Sequence, residues 1–187
     1  MTGSQSVQNQ DEPGLILLAS RGDRHAFGEL VCRYREGMVN VVYRMCGDAA
    51  LAEEAAQEAF LKAWQNLMRY DPRFAFRSWI YRIAINTALD ALRRERPSVD
   101  IDAMAIPEPS DGPEASYEVK ERAARVRQAV LELPVGSRMV LVLREYEGLS
   151  YREIADALDV PLGTVMSRLS YARRHLREVL QVDLEVP

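Results

Sequence analysis

The stretch from Arg96 to Glu118, RPSVDIDAMAIPEPSDGPEASYE, limits what this chain can become more than any other. From Pro97 onward it holds four prolines, six acidic residues and no base. Each proline removes a backbone donor and pushes the residue before it toward extended backbone. Few large apolar side chains remain to bury, so the segment cannot offset its own ordering entropy. A structureless loop of this length is uncommon inside one compact domain. The expectation is therefore two halves, 14–96 and 118–182, joined by a flexible acidic linker at 97–117. A long surface loop within one domain is the competing reading.

Strand signals are nearly absent from both halves, so the expected class is all-α. In the first half, Leu15 to Ser20 is apolar and ends at RGD. Asp23 can cap a helix carrying Ala26, Phe27, Leu30 and Val31. A separate apolar stretch, Met38 to Met45, is stopped by Gly47. Asp48 caps a long helix with Ala52, Ala55, Ala56, Ala59, Ala63 and Leu67 along one side. After the loop RYDPRFAF, Ser78 or a residue just before it opens another helix. Its core side is Ile80, Ile83, Ala84, Thr87 and Ala91, and it ends before Pro97.

Charge is segregated, which the net value of −4 conceals. Between Pro72 and Arg96 six arginines face only Asp90 and Glu95, and between Gly163 and Leu180 four arginines face only Glu178. An acidic total does not exclude nucleic acid when the local field is basic. The polar opening MTGSQSVQNQDEPG lacks the basic and apolar regions of a signal peptide, and residues 1–13 and 183–187 read as tails. No apolar run approaches the roughly 20 residues of a membrane span. Cys32 and Cys46 form no CxxC pair and read as buried free thiols in a reducing cytoplasm. There is no GxxxxGK loop and no HExxH, and the two histidines lie in different halves. No enzyme, metal or cofactor is indicated.

The most specific pattern is LSYREIADALDVPLGTVMSRLSYARRHL, Leu149 to Leu176. Gly148 ends the preceding helix, and Ser150 with Glu153 forms a capping box. Ile154, Ala155 and Leu158 point inward. The turn is short, near Asp159 and Val160, and Pro161 suits the start of the next helix. There Val165, Leu169, Ala172, Leu176 and Leu180 share a stripe. The opposite face is Ser167, Ser170, Tyr171, Arg174 and Arg177, with Met166, Arg168 and Arg173 at its edges. This is the spacing of a helix-turn-helix, whose second helix enters the major groove. A structural αα-hairpin with a solvated basic face also fits.

Two faces of the first half carry further readings. Opposite the alanine stripe lie Glu54, Gln57, Glu58, Leu61 and Gln65. Leu61 is either an ordinary exposed leucine or the apolar centre of a docking patch with a polar rim. On the next helix, the side away from the core reads Arg82, Ile85, Asn86, Leu89 and Arg93, preceded by Tyr70, Phe74, Phe76, Trp79 and Tyr81. Such residues serve either a small aromatic core with a solvated arginine face or single-stranded nucleic acid, stacked on aromatics and neutralised by guanidiniums.

Taken in order, GDRHAFGELVCRY, AEEAAQEAFLKAWQNL, FRSWIYRIAINTALDALRR, ELPVGSRMVLVLREYEGLSYREIADALDVPLGTVMSRL and YARRHL make the chain resemble the extracytoplasmic-function group of bacterial sigma-70 family sigma factors. The resemblance implies an RNA polymerase subunit that directs promoter-specific initiation in the cytoplasm, checked by an anti-sigma factor. It implies that 14–96 is sigma domain 2 and 118–182 is sigma domain 4. It assigns Glu54, Gln57, Glu58 and Leu61 to docking on the β′ subunit of core polymerase. It assigns Lys62, Tyr70, Phe76, Trp79, Tyr81, Arg82, Asn86 and Thr87 to opening of the promoter −10 element, with the loop 69–76 forming much of a pocket for a flipped base. Thr164, Met166, Ser167, Arg168, Ser170, Tyr171 and Arg174 fall to the −35 reader, and the linker would thread past the β and β′ subunits toward the active site. Met166 and Tyr171 stand where many relatives carry a basic residue. The alternative is a helix-turn-helix regulator whose first half is a sensor or dimerisation domain, binding duplex DNA without polymerase.

Overall fold

The structure is a computed structural model that describes residues 11–95 and 117–182. Residues 1–10, the C-terminal tail and nearly all of the acidic segment lie outside the described residues, whereas Glu12 and Pro13, expected in the N-terminal tail, open the first helix instead. Among those described there are eight α-helices and one short 3-10 turn, with no strand.

Helix α1 (Glu12–Ser20) carries proline in its first turn, where no backbone donor is missed. Gly22, in left-handed backbone, releases the chain, and the Asp23 carboxylate accepts from the backbone N–H groups of His25 and Ala26. Helix α2 (Arg24–Cys46) then runs without interruption to left-handed Gly47. The two stretches expected as separate helices are thus one. Gly37 sits within it and costs only about 1 kcal/mol of propensity. Asp48 accepts from Leu51 N–H and starts α3 (Ala49–Asn66). A 3-10 turn (Leu67–Arg69) follows. Helix α4 (Phe76–Glu95) begins two residues before Ser78, which is buried rather than capping, its hydroxyl without a partner.

The alanine stripe explains how tightly α3 sits. Ala52, Ala55, Ala56, Ala59 and Ala63 are all buried, and small side chains let α3 approach α2 and α4 closely. Leu30, Met38, Val41 and Val42 of α2, with Ile80 and Ala84 of α4, complete this core. Cys46 is buried, as expected, and burial pushes its thiol up to about 11. Cys32 corrects the expectation: it is exposed. Two residues from Leu30, it lies on the far side of α2 from the buried stripe.

Helices α5 (Tyr117–Leu131), α6 (Val135–Glu145), α7 (Tyr151–Leu158) and α8 (Leu162–Val182) form the C-terminal bundle. The capping box is complete: Glu153 N–H donates to Ser150 Oγ, and Ser150 N–H donates to the Glu153 carboxylate at 2.8 Å. Asp159, in left-handed backbone, ends α7. Val165, Leu169 and Ala172 of α8 pack inward with Val140, Leu143 and Ile154.

The two helical groups also pack on each other, α4 against α7 and α2 against α5 and α6. Arg138 of α6, only 2% exposed, sits at this junction. Its guanidinium donates to the carbonyls of Leu131, Leu133 and, across the junction, Met45. Among the described residues no carboxylate accompanies it, and burial brings its pKa down to about 10, so it stays charged at neutral pH. The receiving carbonyls lie at or just beyond the C-terminal ends of α2 and α5, where unpaired acceptors and the helix dipole favour a cation.

Candidate polymerase and nucleic-acid interfaces

The outer face of α8 develops from its buried stripe. With Val165, Leu169 and Ala172 inward, Met166, Ser167, Ser170, Tyr171 and Arg174 are left exposed. The Tyr171 and His175 rings stack nearly parallel, and the Arg174 guanidinium lies 5.7 Å from the Tyr171 centroid. Arg174 meets Glu178 only at 4.0 Å with both side chains exposed, a pairing too weak to hold it. Thr164 is half-buried, its carbonyl accepting from Ser167 Oγ at 3.1 Å. Arg168 is also half-buried and lies against the first turn of α6; a Cβ on Gly136 would stand 2.8 Å from its Cζ. Arg173 is drawn to Glu145 at 2.7 Å. An open cleft of about 390 Å³ runs beside Met166, Ser170 and Arg174.

On α3, Leu61 is 63% exposed, with Glu54, Gln57 and Gln65 exposed around it. Glu58 is half-buried and bridges Lys62 at 2.8 Å and Arg94 at 3.5 Å. Lys62, foremost, and Arg94 hold its carboxyl below the usual range. Lys62 also donates to Thr87 Oγ1 of α4 at 3.2 Å. Thr87 is fully buried, as its place on the core side of α4 requires.

The aromatics before and within α4 divide between core and surface. Phe76 is buried, with Tyr70, Trp79 and Tyr34 around it at ring separations of 5.4 to 5.6 Å. The loop is held by Tyr70 Oη donating to the Phe74 carbonyl at 2.6 Å and by an Arg73–Asp71 fork. Beside it opens a groove of about 680 Å³, lined by Tyr70, Phe74, Ala75 and Phe76 together with Leu17 and Met68. Leu17 and Met68 are large exposed apolar residues that sequence reasoning missed. Leu17 is hidden within an unbroken apolar run, where period gives no direction.

Further along α4 the expected outward face is only partly outward. Asn86 and Arg93 are exposed, but Ile85 is 2% and Tyr81 4% exposed. The C-terminal group packs against this side of α4. Tyr81 Oη donates to Glu147, and Arg82 donates to the Asp156 carbonyl. Arg77 forms a two-pronged bond to Glu153, both prongs 2.5 Å. Sequence reasoning found none of these partners, because nothing local in the sequence pairs positions so far apart.

Residues 30–97 match the family model "Sigma-70 region 2", and residues 123–176 match "Sigma-70, region 4". The RNA polymerase sigma-H factor of Pseudomonas aeruginosa is 38% identical over 186 residues, covering 94% of this chain and 96% of that protein. The ECF RNA polymerase sigma factor SigW of Bacillus subtilis is 35% identical, covering 89% of this chain and 95% of its own. The chain belongs to the extracytoplasmic-function group of sigma-70 family sigma factors.

Solved folds agree. CnrH, in complex with the cytosolic domain of CnrY, superposes at a TM-score of 0.72 with 27% identity, over 92% of this chain and 98% of that one. The sigma factor RpoE of Bartonella quintana gives 0.70 at 23% identity, over 84% of this chain and 98% of its own, a likeness of fold. As an extracytoplasmic-function sigma factor, the protein is a non-enzymatic RNA polymerase subunit that acts in transcription initiation. Region 4 carries the helix-turn-helix. Membership sets aside the reading as a classical regulator with a sensor domain. No helix among the described residues is long and apolar enough to cross a membrane.

Proposed function

We propose that this sigma factor works in the cytoplasm by three surfaces. The outer face of α3, centred on Leu61 with Glu54, Gln57 and Glu58, docks on the β′ subunit of core polymerase. Helix α4 and the loop before it open the −10 element, using Lys62, Tyr70, Phe76, Trp79, Tyr81, Arg82, Asn86 and Thr87. The groove beside that loop offers an apolar, aromatic-rimmed seat of the kind an unstacked base requires. Helix α8 reads the −35 element through Thr164, Met166, Ser167, Arg168, Ser170, Tyr171 and Arg174. A separate anti-sigma factor holds the protein in check. The CnrH fold was solved with a protein partner in place, which supports that part of the reading.

The observation that carries the reading is the division of α8. Its apolar stripe is buried, and the small, basic and aromatic side chains opposite it are free to reach phosphates and base edges. The test is a −35 library selection with holoenzyme rebuilt from purified core. Arg174→Ala and Ser167→Ala should weaken selection or alter it. Selection of the same sequences at the same strength by every variant would remove α8 as the reader.

A further inference from the structure

Polarity changes along one flank of α8. Leu162 and Met166, one turn apart, are 49% and 53% exposed. Ser170, exposed, comes a turn later, and then Arg174 and Arg177. Met166, Ser170 and these two arginines line the open cleft beside Tyr151 of α7. Met166 and Arg174 are about 12 Å apart along the helix axis. From Leu162 to Ser167 there is no charged side chain. The first charge on α8, Arg168, leaves by the opposite flank and lies against Gly136 of α6. Outward between Leu162 and Met166 stands Gly163. A Cβ there would meet nothing within 4 Å, so packing does not require glycine. Its missing side chain instead lets another surface come close to the backbone of this first turn.

A recognition helix meets base edges chiefly with its N-terminal residues. In the major groove guanine presents two acceptors, which call for an arginine or lysine. Thymine presents a methyl group, which calls for an apolar contact. Leucine and methionine have no donor to offer guanine, and against its acceptors they would only strip away water. Against a methyl group they remove apolar surface from water on both sides. Methionine also has three rotatable bonds and a polarisable sulfur, so it can settle on a methyl group without a fixed register. Arg174 and Arg177, farther along the helix, keep the guanidiniums that phosphates require.

We propose that Met166, its apolar surface extended by Leu162, reads a thymine methyl group, so that the −35 base pair opposite the start of α8 is A·T. The inference rests on α8 being the −35 reader. It names the base that the uncharged end of the helix takes and leaves the basic end to the phosphates. Specificity at this position then comes from apolar fit rather than from a charged hydrogen bond.

The experiment uses holoenzyme rebuilt from purified core and the full chain, on promoter duplexes carrying the −35 sequence that wild type selects. Each thymine of that element is replaced in turn by uracil, which pairs as thymine does and lacks only the methyl group. Wild-type holoenzyme should lose about fourfold in affinity at one thymine, the worth of one buried methyl group. Met166→Ala should bind the thymine duplex less tightly by a similar factor and no longer distinguish it from the uracil duplex. Met166→Arg should move the preference at that position to guanine. Met166 is exposed, so both variants should keep the circular dichroism of wild type. The methyl contact is overturned if no −35 thymine responds to uracil, if Met166→Ala distinguishes the two duplexes as well as wild type does, or if Met166→Arg selects the wild-type base. The underlying reading fails separately. Should Arg174→Ala and Ser167→Ala alter −35 selection while the Met166 variants do not, α8 remains the reader and only the methyl contact falls. If none of these variants alters selection, α8 is not the reader.

Discussion

Arg138 and Met45 meet across the junction, guanidinium to carbonyl, with no carboxylate among the described residues to share the charge. One side chain thereby satisfies the C-terminal end of α2 and, through Leu131 and Leu133, the exit from α5. Arg138→Ala leaves these carbonyls buried without a donor. Each orphaned acceptor costs about 1–3 kcal/mol, so a loss of about 3 kcal/mol is expected in urea unfolding. Arg138→Lys should recover little, because a point charge cannot span carbonyls that the planar fork reaches from two sides.

Leu61→Asp should weaken core binding in a pull-down while leaving the melting temperature near wild type. The side chain is largely exposed and opposes the alanine stripe, so the fold does not depend on it. Core affinity equal to wild type would remove this face as the docking surface.

Val165→Asp and Tyr171→Arg should separate folding from recognition on α8. Val165 is fully buried, and a carboxylate there costs several kcal/mol, enough to unfold the C-terminal bundle by circular dichroism. Tyr171 is exposed, so an arginine adds a charge without strain to the face proposed to meet DNA. It should raise −35 affinity and steepen the salt dependence by about one ion.

Glu153 makes stability depend on pH. Arg77 first, and then Ser150, hold its carboxyl down to about 2, against an ordinary value of 4.5. A depressed carboxyl stabilises fully above its ordinary value, and the contribution is lost as pH falls from about 4.5 through about 2. The pair is partly solvated, so the loss is about 1 kcal/mol. Arg77→Met should flatten the stability profile over that interval in pH-resolved urea titrations. An unchanged slope would mean that Arg77 does not hold the carboxylate down.

The thiols should differ in rate. Exposed Cys32 should react first with iodoacetamide at neutral pH, and buried Cys46, whose thiol is pushed up to about 11, should react far more slowly. Mass spectrometry of partly labelled protein reads this directly, and equal rates would contradict the burial of Cys46.

Local signals carried the elements well. Asp23, Gly47, Asp48 and the Ser150–Glu153 box each mark a helix end through bonds made within a few residues, and each was legible. Leu61 was legible as well, because a large aliphatic residue opposite a buried stripe has nowhere to go but the surface. The separate stretch expected from Met38 proved to be part of α2, because a glycine such as Gly37 in a long helix is a cost that packing absorbs. Ile85 misled for a different reason. Its own helix assigns it outward, yet it is 2% exposed in a helix that packs against α2, α3 and α7. Arg77, Glu147 and Arg138 owe their roles to the same long-range packing, which no local period encodes.

Glu153 closes the capping box of α7 and also binds Arg77, whereas Glu147 holds Tyr81 alone. Over evolutionary time these acids should not drift alike. A lineage that loosens the junction can shed Glu147 without disturbing a helix, but position 153 must stay glutamate or glutamine to begin the DNA-reading motif at all. Variation at 147 against constancy at 153 would then record how tightly each descendant keeps its halves together.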